Sequence, residues 1–149
     1  MRKKIGIALL AALVSLVMAG MVIGCTQGAV SGSDVVEIQR FKQTTSGLEI
    51  TNYQVVFKQT PEEWNALSSE DKEELAKVGF DQAIEKMKAD GVSNYNITAS
   101  TVLGPMPNGI DNSQLAFFLD RENSLLQIYS EPDAEGRPHI VAEVPVTLP

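Results

Sequence analysis

"TPEEWNALSSEDKEELAKVGFDQAIEKMKADG", residues Thr60 to Gly91, is the stretch on which the fold turns. Thr60 can cap a helix, Pro61 suits its first position, and Glu63 three residues on completes a capping box. Trp64 and Leu67 would anchor that first turn on a core. Ser68-Ser69-Glu70-Asp71 supplies a second cap, so a short helix is expected to bend into a longer one running through Ala89. In the longer helix Ala76, Phe80, Ala83, Ile84 and Met87 share one face at i, i+3 and i+4 spacing, widened by Leu75 and Val78. Asp90-Gly91 is the expected stop. One amphipathic helical segment therefore has a single apolar face to bury.

What flanks it reads as sheet. Val35 to Gln43 and Glu49 to Lys58 predict a hairpin, with Tyr53, Val55 and Phe57 alternating and Thr44-Thr45-Ser46-Gly47 as turn. Further strands are expected over Tyr95 to Leu103, Leu115 to Leu119 and Leu125 to Tyr129. A last strand places Ile140, Ala142, Val144, Val146 and Leu148 on one side. Pro145 points the other way, which suits a sheet edge because proline has no N–H to donate. The segment Gly104 to Gly109, with two prolines and two glycines, reads as a loop unable to hold a ladder. The expected class is α+β: a mainly antiparallel sheet of about five to six strands with one helical segment on one face.

The start of the chain has a separate logic. Met1-Arg2-Lys3-Lys4 is basic, Ile5 to Gly24 carries no charge, and the run ends at Cys25, the sole cysteine. A basic start before an apolar run is the layout of a secretory signal. Val22-Ile23-Gly24-Cys25 resembles the lipobox of bacterial lipoproteins, a resemblance that covers residues 1–25 only. It implies cleavage between Gly24 and Cys25 and acyl chains on the cysteine. Several acyl chains, at about 0.8 kcal/mol per buried CH₂, make a stable anchor. The expected organisation is a signal peptide over 1–24, a lipidated cysteine and flexible tether over 25–34, and a single domain over 35–149. The domain would be exported and held at the outer face of the cytoplasmic membrane, or at an outer membrane if the source has one. With one cysteine it has no internal disulfide.

Beyond Cys25 nine Lys and Arg stand against nineteen Asp and Glu, a net charge of −10. Such a domain is repelled by nucleic acid and by anionic lipid head groups. Nucleic acid is thereby dropped as a partner, and the soluble part is expected to be monomeric.

No catalytic constellation stands out. His139 is the only histidine and has no recognisable nucleophile to serve. Glu62, Glu63, Glu70, Asp71, Glu73 and Glu74 crowd helix beginnings, where the helix dipole and solvent account for them. Asp120-Arg121-Glu122-Asn123-Ser124 has oxygens but not the ligand count of a calcium loop. No metal or cofactor is expected. The one suggestive feature is aromatic: Phe117 and Phe118 are adjacent on a strand and must face opposite ways, and Tyr129 poses the same question. These three are the candidate binding face, for a protein, peptide or envelope component. The expectation is a non-enzymatic lipoprotein with a small binding or accessory domain. The alternative is a carboxylate-dependent hydrolase acting on cell-envelope glycan.

Overall fold

The computed structural model describes residues 34–105 and 111–149. The expected signal peptide, the lipobox-like stretch at Cys25 and most of the expected tether lie outside the described residues. In chain order the elements are β1 (Val35–Thr45), β2 (Leu48–Phe57), α1 (Pro61–Ala66), α2 (Ser69–Asp90), β3 (Tyr95–Ser100), β4 (Gly104–Pro105), β5 (Asp111–Asn112), β6 (Leu115–Asp120), β7 (Leu125–Ser130) and β8 (His139–Pro145). Six strands form one sheet in the order β1-β2-β3-β6-β7-β8, with the helices on one face. The class is α+β, as the residue pattern predicts.

The helices begin and end where the local chemistry says they should. The Thr60 hydroxyl accepts from the Glu63 N–H while the Glu63 carboxylate accepts from the Thr60 N–H, closing the capping box. Ser68 caps α2 by accepting from the Asp71 N–H. At the far end Gly91 adopts φ 68°, and its N–H and that of Val92 return to the Lys88 and Met87 carbonyls. A left-handed residue is needed there, and glycine adopts it without steric cost. Residues Leu75, Ala76, Phe80, Ala83, Ile84 and Met87 are buried as the stripe requires. Val78 is only half-buried.

Two buried residues on α2 were not in that stripe. A Cβ built on Gly79 would lie 2.8 Å from Phe57 Cζ and 3.0 Å from Val55 Cγ1, so only glycine lets α2 come this close to β2. Lys72 is 5% exposed. Its ammonium donates to the carbonyls of Leu67 (2.9 Å) and Asn65 (3.4 Å), at the C-terminal end of α1. A cation is favoured at that negative end. Burial pulls the Lys72 ammonium below its ordinary range.

The hairpin β1–β2 closes on Ser46 and Gly47, both at positive φ (52° and 79°), the two-residue turn that suits strand twist. The helices then carry the chain across so that β3 pairs parallel to β2, while the other neighbours in this sheet pair antiparallel. Phe57 stacks on Trp64 at 5.4 Å and meets Phe117 edge-on at 6.2 Å. The indole N–H of Trp64 donates to the Tyr129 carbonyl at 2.7 Å, which ties α1 to β7.

Three expectations need correcting. Gly104 to Gly109 does hold a short ladder at its start, since Gly104 pairs with Asn112 and Pro105 with Asp111. A proline lacks the donor but keeps its carbonyl, which is enough for a two-residue pairing. In β8 the single apolar face breaks: Ile128 pairs with Ala142 and Tyr129 with Ile140, so one residue bulges out at Val141. A bulge reverses the side-chain alternation. Ile140 and Val141 are accordingly exposed, whereas Val144 is buried. Asp34 belongs to the domain and not to a tether. It is buried, ion-pairs with Lys58 and offers its carbonyl to the Lys58 N–H at 2.9 Å.

Phe80→Ala should cost about 3–5 kcal/mol, because it empties a buried aromatic site. Lys77→Ala on the exposed side of α2 should stay within about 0.5 kcal/mol of the parent. Gly79→Val should also destabilise, by about 1–3 kcal/mol from overpacking, since Phe57 is held between Trp64 and Phe117 and cannot yield. Urea unfolding of the three variants beside the parent reads all three values, and a parent-like midpoint for Phe80→Ala would place the stripe away from the sheet.

Candidate functional site

The sheet has a second face, turned away from the helices and carrying no layer among the described residues. Register assigns its side chains. Tyr53, Val55 and Phe57 face the helices, so Asn52, Gln54 and Val56 face outward. Pairing across the strands then aligns one continuous row. Gln39 lies opposite Gln54, Gln54 beside Thr98, Thr98 opposite Phe118, Phe118 opposite Gln127, and Gln127 opposite Glu143. The row crosses all six strands, and at about 4.8 Å per strand it spans about 24 Å. A second, shorter row runs Phe41, Asn52, Asn96.

The aromatics predicted from sequence divide here. Phe118 lies on the open face and is half-buried. Phe117 points the other way, is fully buried against Phe57, and drops out of the candidate binding face. Strand geometry requires this split, since adjacent residues face opposite sides. Tyr129 is half-buried on the open face, where burial raises its phenol above its ordinary 10.0. The amides went unremarked in the sequence. Their signal was the complement of a pattern in plain view: wherever β2 alternates into the core, the intervening residue is Asn52 or Gln54.

The amides are held unequally: Gln39 Nε2 donates to Glu37 Oε1 at 2.7 Å and Asn96 Oδ1 accepts from the Ile97 N–H at 3.0 Å. Gln54 Nε2 donates to Ser100 Oγ at 3.1 Å, while Gln127 Nε2 to Glu143 Oε1 and Tyr129 OH to Gln127 Oε1 are both 3.4 Å. The last two lie beyond the usual range for such bonds. Asn52 Nδ2 is shut off from solvent with no hydrogen-bond partner. Three grooves border the face. One of about 370 Å³ is lined by Ile50, Asn52, Asn96, Phe118 and Asp120. Another, about 280 Å³, runs between Gln39, Gln54 and Leu103. A third, about 230 Å³, lies at the upper margin beside Leu115, Tyr129 and Pro138.

The charged candidates have structural work. Asp120 closes the β6–β7 turn: Oδ1 accepts from the Asn123 N–H at 3.1 Å and Oδ2 from Asn123 Nδ2 at 2.8 Å. Those bonds hold its carboxyl below the ordinary 3.8. Arg121 donates to the Tyr95 carbonyl at 2.8 Å and lies over the Tyr95 ring at 4.3 Å. His139 is exposed at the start of β8. Among the described residues no group of three or more His, Cys, Asp or Glu is placed to hold a metal ion, and no helix is long and apolar enough to cross a membrane.

A carboxylate whose folded pKa is depressed stabilises the fold above its unfolded value and loses that contribution as pH falls through the folded one. Asp120→Ala should therefore lower the urea midpoint at neutral pH, and the gap from the parent should narrow as pH drops below about 3.8. A gap independent of pH would mean that the turn does not rest on the ionised carboxylate. Comparison of the chain with protein-family models, with curated proteins and with solved structures finds no match.

Proposed function

We propose that this chain is an exported lipoprotein, anchored to a bacterial membrane by acyl chains on Cys25, whose single domain binds an envelope component through the open face of its sheet. The observation that carries the binding reading is the cross-strand row from Gln39 to Glu143. It combines uncharged hydrogen-bonding groups with an aromatic ring on a rigid support, bordered by grooves. Conversely, the helical side is strongly acidic: residues 61–90 carry nine Asp and Glu against four Lys. The two sides of the domain thus differ in chemistry, one suited to contact and one to solvation. The anchor rests on the Val22-Ile23-Gly24-Cys25 box after its basic and apolar run.

No specific observation favours the hydrolase alternative. A glycosidase acid needs a raised pKa. Two carboxylates line the largest of these grooves, Asp120 and Glu122, and Asp120 is held low by its turn.

Two experiments test the proposal. Cells expressing Cys25→Ser should incorporate no clickable fatty acid into this protein, whereas the parent is labelled; equal labelling would reject the anchor. A photoreactive residue at Gln39 should give adducts of raised mass in intact cells, and the same residue at Lys77 on the helical side should give none. Equal yields at both positions would sink the binding face.

A further inference from the structure

We propose that the open face binds a neutral oligosaccharide built of pyranose rings; this rests on the reading of that face as the binding surface. The row offers Gln39, Gln54, Thr98 and Gln127, with Asn52 and Asn96 beside it. Each amide carries a donor and an acceptor together, and each hydroxyl does the same. Vicinal sugar hydroxyls have this double character, so the two sets can pair in many registers. Phe118 and Phe41 add ring faces against which the C–H side of a pyranose can lie, and Phe41 is 48% exposed.

Charge narrows the ligand further. Neither row contains a lysine or arginine, so an anionic glycan or a phosphate would find no counter-charge there. The only acid of the long row, Glu143, stands at its end on the outermost strand. The charges around the rows are mainly acidic, Glu37 beside Gln39 and Asp120 and Glu122 with Arg121 in the neighbouring groove, which disfavours an anionic ligand further. An uncharged ligand is what such a surface suits.

Geometry separates a glycan from a peptide. An extended peptide is commonly recognised by adding to a sheet edge, and a helix by an apolar groove. Gln54, Thr98, Phe118 and Gln127 sit on β2, β3, β6 and β7, which are paired on both sides, so on these four strands no main-chain ladder is open to a peptide. The contacts must come from side chains standing on a flat support. Gln127 is available for new partners, since its bonds are long.

The test is calorimetric titration of the full-length chain in a zwitterionic detergent without a sugar head group. The probes are hexasaccharides of N-acetylglucosamine and of glucose. At least one should bind saturably. Gln54→Ala and Gln127→Ala should each weaken it about two- to tenfold, the worth of one neutral hydrogen bond. Phe118→Leu, which keeps an apolar side chain but removes the ring, should weaken it as well, and Lys77→Ala should leave it unchanged. Absence of binding by both probes at millimolar concentration would overturn the proposal, as would binding indifferent to the Gln54→Ala, Gln127→Ala double variant. Adducts from Gln39 to a protein, with neither probe binding, would overturn the glycan and leave the face standing as a binding surface.

Discussion

The contact between Gly79 and Phe57 is the constraint on which the rest of the molecule depends. A glycine in mid-helix costs about 1 kcal/mol relative to alanine. Here it admits the Phe57 ring into the surface of α2, with no room for a Cβ. Phe57 in turn stacks on Trp64 and meets Phe117. One close approach therefore fixes α2 on β2, α1 on the same ring, and β6 beneath both. The Trp64 N–H to the Tyr129 carbonyl extends the tie to β7. Lys72 completes it by holding the carbonyls where α1 ends and α2 begins. A lysine in that place trades desolvation for charge–dipole contact, and its lowered pKa records the trade.

Because both helices serve one face, the other has no cover among the described residues. An exposed sheet must then be polar, or it becomes an aggregation surface. This chain meets the requirement with amides in place of charges, an unusual choice when nineteen acids are at hand. The sheet's margins are treated differently. On β8, Pro145 and the bulge at Val141 spoil an edge that another chain could extend. On β1 the exposed Arg40 and Lys42 carry charge, Arg40 pairing with Asp90 and Lys42 with Glu49. Edges guarded in these two ways leave the interior of the face as the surface free to make contacts.

Much of the fold was legible in order. Caps at Thr60 and Ser68, the stop at Gly91 and the alternation of Tyr53, Val55 and Phe57 are local signals, each acting within a few residues, and they placed the helices and the first hairpin. The edge position of β8 followed from Pro145 for the same reason. The candidate site was half legible. Phe118 and Tyr129 stood out as aromatic, but which of Phe117 and Phe118 faced outward could not be read from their adjacency.

What the residues determined alone is the existence of the elements, the apolar stripe of α2, the α+β class and the acidic balance, because helix period, strand period and charge are properties of short windows. Tertiary structure decided what depends on partners far apart in the chain. It set the parallel pairing of β2 with β3, the register that lines Gln39 with Gln54, Thr98, Phe118, Gln127 and Glu143, the bulge at Val141, and the burial of Gly79 and Lys72. A glutamine in a strand reads as an ordinary surface residue until register shows that its neighbours across the sheet are amides too. Register arises when one face of every strand is buried at once, and that burial exists only in the folded chain.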